Sequence, residues 1–158
     1  MPALHFFLLD YRLADRDARQ MSQDELAAYL DQPHIMRIAL VDHRDSHPIV
    51  HPVWYYYEAG KFFVATDRNG IKAESLRQNP KLYFLVDSDP TDGPPRGVRG
   101  KAEASVVDDP DYATRVTLRN VIRYLGSAEG NAAQKIIAMG KDSSVIEINP
   151  SFIATWKY

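Results

Sequence analysis

Apolar and polar positions change period several times along the chain, and each change marks an element. Ser22-Gln23-Asp24-Glu25 has the form of a capping box, the serine bonding forward and Glu25 bonding back. Behind it Leu26, Tyr29 and Leu30 fall on one helical face, and Pro33 ends the element. Residues 35–41 are apolar apart from Arg37, which predicts a buried strand. A polar turn over residues 42–47 leads into residues 48–57, a long second strand rich in branched and aromatic side chains. Glu58-Ala59-Gly60 turns the chain into a third strand over residues 61–66, so a three-stranded meander with tight hairpins is expected. Asp67-Arg68-Asn69-Gly70 is a turn signal before a short helix, residues 71–78, stopped by Asn79-Pro80. Residues 81–87 predict a fourth strand, 88–95 a proline-rich loop, and 97–107 a glycine-containing strand that bends. Asp108-Asp109-Pro110 opens a helix to Leu125, and a second helix runs from Ser127 to about Met139. Strands over 144–149 and 152–157 close the chain on either side of Pro150.

Short strands at hairpin spacing with helices inserted at corners predict a mostly β protein, an antiparallel barrel closed or partly closed. A βαβ arrangement is disfavoured, because the first three strands lack the helical crossovers that parallel pairing requires. A length of 158 residues bounds this to one domain, residues 21–158, behind an N-terminal extension over residues 1–20. The apolar run at residues 3–9 has no basic residue before it. It leads into Asp10, Arg12, Asp15, Arg16 and Asp17, unlike a signal peptide.

Composition narrows the chemistry. With 45% hydrophobic and 25% charged residues the chain reads as an ordinary folded protein. A formal charge of -2 argues against nucleic acid as a partner, and no apolar run approaches the ~20 residues of a membrane-crossing helix. The absence of cysteine excludes disulfides, thiol catalysis and thiolate metal sites, and fits a cytoplasmic protein. His43, His47 and His51 have the spacing of helical metal ligands, but Pro48 and Pro52 rule out a helix there. In extended chain His47 and His51 stand about 13 Å apart, too far for one ion, so no metal site is expected.

The segment from Phe62 to Leu76 is the most informative one. A strand delivers its end to a tight turn, and the turn opens a helix whose free N–H groups favour an anion. Thr66, Arg68, Asn69, Lys72 and Ser75 are placed to complete a phosphate site. A capped helix with a solvated first turn is the alternative, and the local pattern leaves the two even. Alternation along the second strand puts His51, Val53, Tyr55 and Tyr57 on one face and Val50, Pro52, Trp54 and Tyr56 on the other. Both faces are bulky, as for a strand covered by core on one side and by a ring system or partner subunit on the other; a packed aromatic strand is the alternative. Arg115, Arg119 and Arg123 form a basic stripe on the long helix, either a solvated face paired to acids or the flank of an anionic ligand.

Taken in order, these segments resemble the pyridoxamine-phosphate-oxidase-like flavin-binding split-barrel family. The likeness runs from Met21 to about Val107 through Arg37-Ile38-Ala39-Leu40-Val41-Asp42, His51-Pro52-Val53-Trp54-Tyr55, the Phe63–Thr66 and Lys72–Pro80 stretches, and Gly97-Val98-Arg99-Gly100-Lys101-Ala102-Glu103. It resumes with Arg123-Tyr124-Leu125-Gly126 and with Val145-Ile146-Glu147-Ile148-Asn149-Pro150. The resemblance implies a six-stranded antiparallel split β-barrel forming a homodimer, with cofactor sites at the subunit interface. It implies FMN as cofactor: His51, Pro52, Val53 and Trp54 along the ring and ribityl chain, Ala65 and Thr66 at the ring or phosphate, Lys72 with Arg68 on the phosphate. Asn69 and Ala73 belong to the same implied site. The implied activity is hydride transfer between flavin and a small organic substrate, with no catalytic acid or base named. Phe152 to Tyr158 does not match the segment with which true pyridoxamine phosphate oxidases hold their substrate. The Arg-Tyr-Leu-Gly insertion looks closer to the branch with deazaflavin-dependent reductases, so deazaflavin is the alternative cofactor. A non-catalytic flavin- or haem-binding protein is the alternative function.

Overall fold

The computed structural model describes residues 10–14 and 17–158. Residues 1–9 of the expected N-terminal extension lie outside the described residues. The strands are β1 (Asp10–Leu13), β2 (Met36–Val41), β3 (Pro48–Val53), β4 (Tyr56–Glu58), β5 (Lys61–Asp67), β6 (Lys81–Asp87), β7 (Arg96–Val107) and β8 (Ser143–Lys157). The helices are α1 (Gln23–Leu30), α2 (Ile71–Gln78), α3 (Pro110–Leu125) and α4 (Asn131–Ala138).

One curled sheet carries the fold, with strand order β3-β2-β6-β7-β8-β5-β4 and antiparallel pairing throughout. The six strands of the expected split barrel are β2, β3, β5, β6, β7 and β8. The three-residue β4 and the four-residue β1 are added to them, β1 lying parallel along β8. The two edges of the path, β3 and β4, each pair on one side only, which leaves the barrel split between them.

Period-two alternation fills the interior. Met36, Ile38 and Leu40 from β2, Phe62 and Val64 from β5, and Leu82, Phe84 and Val86 from β6 meet Val98, Ile146, Ile148 and Ile153 in one buried cluster. Leu26, Tyr29 and Leu30 of α1 join this core, and the Ser22–Glu25 capping box forms as the sequence predicts. A smaller cluster, Tyr56, Ala113, Val116 and Val145, seats α3 on the outside of β5 and β8.

Three expectations need correction. Residues 48–57 are not one strand in a meander: the strand breaks after Val53, and its halves pair with different partners, β2 and β5. Three successive bulky residues, Trp54, Tyr55 and Tyr56, belong to different packing environments, and Tyr55 is fully buried in the main core. Conversely, β8 is a single strand through Pro150: a register shift opposite Lys101/Ala102 absorbs the missing N–H. The second helix starts at Asn131 instead of Ser127, since the Ser127 hydroxyl accepts from Glu129 N–H in a turn and Gly130 takes φ 93°.

Candidate functional site

The end of β5 and the start of α2 are joined by a turn held from within. Asp67 Oδ1 accepts from Asn69 N–H at 3.0 Å, and the Asp67 carbonyl accepts from Gly70 N–H at 3.1 Å. Gly70 is the N-cap of α2 and supplies no side-chain cap; a Cβ there would stand 3.1 Å from Asp67 Cβ. The first N–H groups of α2 therefore have no acceptor within the helix or from its cap.

Directly beside this helix start lies a groove of about 440 Å³ at the split of the barrel. Ile35, Pro52, Val53 and Trp54 line one bank; Ala65, Thr66, Asp67 and Lys72 line the other. Lys72 makes no hydrogen bond or ion pair among the described residues. Thr66 is only 6% exposed, and its Oγ1 has no hydrogen-bond partner among them. An orphaned buried hydroxyl costs about 1–3 kcal/mol, which an acceptor on a bound ligand would recover. A cation, a buried unpaired hydroxyl and uncapped helix N–H groups thus converge on one place, a set that suits a phosphate. The Asp67 carboxylate faces the same groove and is turned onto Asn69 N–H.

His51 lies on β3 opposite Ile38, half-buried, with Nε2 unpartnered among the described residues. Burial, and then the positive charge of Lys72, hold its pKa below the usual histidine value, while Asp42 acts the other way. Trp54 leans on a tyrosine of the last turn of α3: the Trp54 and Tyr124 rings are stacked at 4.8 Å and 6°. The Tyr124 hydroxyl donates to the His34 carbonyl at 2.6 Å and accepts from Tyr55 N–H at 3.3 Å.

The groove thus gathers Pro52, Val53, Trp54, Ala65, Thr66 and Lys72 from the set singled out in the sequence. Five others, His51, Arg68, Asn69, Ala73 and Ser75, fall outside its lining. His51 is near enough to Lys72 to feel its charge. Arg68 donates from Nη2 to the Lys141 carbonyl at 3.0 Å, docking the turn onto residues 139–142. The Asn69 side chain is exposed, and Ala73 is fully buried against the core side of α2. Ser75 is likewise buried; its Oγ meets His43 Nδ1 at 3.0 Å and accepts from His43 N–H. This is no nucleophile: the serine is sealed from solvent, and the Asp42 carboxylate is 3.9 Å from that same His43 nitrogen and bonded to Arg44.

The basic stripe of α3 takes the reading of a solvated face paired to acids only at Arg119. Arg119 makes a two-pronged contact with Glu58 and sits 3.9 Å over the Tyr56 ring. Arg123 donates to the carbonyls of Leu30 and Gln32 at the end of α1. Ile35 and Asp67 are the groove residues that sequence reasoning missed, and Tyr124, which stacks on Trp54 without lining the groove, was missed as well. The available signal for Tyr124 was that it continues the buried stripe of Ala113, Thr117 and Asn120 with an aromatic ring.

A larger cavity, about 490 Å³, lies on the outer face of the sheet among Ala39, Val50, Tyr83, Leu85 and Trp156, with Arg37 and Arg99 at its edge. It is mainly apolar and its walls are neighbouring strands, as on a face that another surface covers. The smaller groove carries the better case for a polar ligand, because its polar groups lack partners.

Residues 22–157 match the family model described as pyridoxamine 5'-phosphate oxidase, and the chain belongs to that family. Its fold is shared with solved structures of low identity. A conserved hypothetical protein, Rv2991 from Mycobacterium tuberculosis, is 24% identical over 90% of this chain and 88% of that one, with a TM-score of 0.76. An FAD-binding protein from Mesorhizobium loti is 16% identical over 89% and 98%, with a TM-score of 0.67. An F420 reductase is 22% identical over 80% and 94%, with a TM-score of 0.64. No curated protein matches the chain. No helix among the described residues is long and apolar enough to cross a membrane.

Proposed function

We propose that the chain is a flavin-dependent oxidoreductase that binds FMN in the groove at the split of the barrel and works as a homodimer on a small organic substrate. The observation that carries this reading is the convergence of Lys72, the unpartnered Thr66 hydroxyl and the open start of α2 beside Trp54. Bound there, the flavin supplies hydride transfer. The chain's own residues bind and orient it. Lys72 Nζ, Thr66 Oγ1 and the first N–H groups of α2 hold the phosphate, while Pro52, Val53 and Trp54 flank the ring system and keep water from it. Family membership supports a flavin-type cofactor, and the names of two structural neighbours, an FAD-binding protein and an F420 reductase, agree with it. FMN is preferred to a longer deazaflavin because two of the three arginines of the α3 stripe are engaged within the chain, Arg119 by Glu58 and Arg123 by the end of α1, while Arg115 lies over the Tyr112 ring. Val50, 62% exposed, and the apolar outer cavity around it suit a face covered by a second copy of the chain.

Fluorescence-quenching titrations test the site. Lys72→Ala should weaken FMN by about 1.5–3 kcal/mol, the worth of a hydrogen bond to a charged group, and leave riboflavin, which has no phosphate, unchanged. Equal FMN affinity in the variant and the wild type would remove Lys72 from the site; no binding of either flavin to the wild type would overturn the reading.

A further inference from the structure

Trp54 occupies a place that no strand ladder fixes. The β2–β3 pairing ends at Val53 and the β4–β5 pairing begins at Tyr56, so residues 54–55 cross the open side of the barrel unpaired. Side-chain contacts then help to set the direction of the tryptophan, and its ring contact among the described residues is the near-parallel stack with Tyr124 at 4.8 Å. The Tyr124 hydroxyl takes Tyr55 N–H, the free donor of that step, and gives its own proton to the His34 carbonyl.

Tyr124 is itself anchored. Arg123, next in the chain, reaches the carbonyls of Leu30 and Gln32, faces Asp31 at 3.6 Å and lies 5.0 Å over the Tyr55 ring. Tyr55 in turn donates from its hydroxyl to the Leu30 carbonyl at 3.3 Å. The helix stops immediately afterwards at Gly126, with φ 78°, so these residues sit in its closing turn. The end of α3, the end of α1 and the crossing at residues 54–55 are therefore tied together around one indole.

We infer that Tyr124 is a positioning residue for the ligand's ring system, acting through Trp54 by setting the angle of the groove's aromatic wall. The inference rests on the flavin reading of the groove and assigns the two ends of the ligand to different devices. Lys72 and Thr66 hold the phosphate; Tyr124 and Trp54 govern the ring. Loss of Tyr124 then weakens FMN and riboflavin by the same factor, whereas loss of Lys72 weakens FMN alone.

The test titrates FMN and riboflavin into wild type, Tyr124→Phe, Tyr124→Leu, Trp54→Leu and the Trp54→Leu/Tyr124→Leu double variant, with the visible circular dichroism of the bound flavin recorded. Removing a stacked aromatic partner is expected to weaken both ligands roughly three- to tenfold in Tyr124→Leu. The double variant should bind no worse than Trp54→Leu, because Tyr124 acts only through that ring. Wild-type affinity and an unchanged flavin spectrum in Tyr124→Leu would overturn the inference, as would penalties that simply add. If Tyr124→Leu does not fold, Tyr124→Phe carries the test through the lost hydroxyl bonds, with a changed flavin spectrum expected and an unchanged one contradicting it. The ligand-free Trp54 indole N–H resonance separates this claim from the flavin reading. A single sharp signal in wild type, broadened or shifted in both Tyr124 variants, supports positioning even if no flavin binds; an unmoved signal contradicts it.

Discussion

Lys72 and Thr66 come from different elements, one in the first turn of α2 and the other at the end of β5, and the turn between them brings both into one groove. Their neighbour His51 reports on the charge there. Since burial and Lys72 both favour its neutral form, NMR should find it titrating below 6.5, and Lys72→Ala should move that midpoint upward by removing a like charge. An unmoved or lowered midpoint would contradict the placement of the two groups. Asp42 gives the opposite case, a buried carboxylate held down to about 2 from 3.8, chiefly by hydrogen bonds from the Arg44 side chain and then its N–H. A carboxylate whose folded pKa lies below its unfolded one stabilises the fold fully above about pH 4. It loses that contribution as pH falls toward 2. Asp42→Asn should flatten the dependence of Tm on pH in that window, and an unchanged slope would count against it. At this scale the co-location of Lys72 and Thr66 was legible because a strand–turn–helix signal points at its own corner, whereas Trp54 reaches the same groove from the end of β3, a pairing that only the fold supplies. Arg68 was not legible: its guanidinium is taken by the carbonyl of Lys141, a contact 73 residues away.

Among the elements, α1, α2, β5 and β6 follow from local pattern, since cap, turn and alternation all agree. The break between β3 and β4 did not, because Trp54-Tyr55-Tyr56 has the composition of a strand, and only packing against α3 and α1 divides it. Pro150 misled in the other direction, suggesting an interruption where β8 keeps its course through a bulge. The pairing of β7 with β8 also brings backbone close at a glycine. A Cβ on Gly100 would lie 2.1 Å from the Phe152 carbonyl oxygen and 2.8 Å from the Phe84 ring. Backbone cannot yield as a flexible side chain can, so Gly100→Ala should destabilise by about 1–3 kcal/mol in urea denaturation. A loss under half a kilocalorie would show that the strand bends freely there. Gly97 faces Trp156 in a similar way, so the glycines of β7 serve close packing as well as curvature.

For the whole molecule the decisive feature is that the sheet curls without closing, and a groove lies between the end of β3 with Trp54 and the end of β5 with the start of α2. Strand count and hairpin spacing predicted a barrel; the position of the split depends on long-range pairings of β5 with β8 and of β2 with β6, which no local pattern encodes. On the outer face of the sheet, Val50, Ala39, Tyr83, Leu85 and Trp156 make an apolar depression. If a second copy covers it, Val50→Glu should convert a dimer to a monomer by light scattering while leaving the fold intact. A wild-type monomer, or a dimer unaffected by the change, would place the contact elsewhere. Two cavities of similar size thus compete for the flavin, about 440 Å³ at the split and about 490 Å³ on the outer face. A crystal structure of the FMN complex decides between them most directly. The account predicts the phosphate within hydrogen-bond reach of Lys72 Nζ and Thr66 Oγ1, with the ring against Trp54. Flavin bound instead among Arg37, Arg99 and Trp156, with Thr66 Oγ1 still unpartnered, would contradict it.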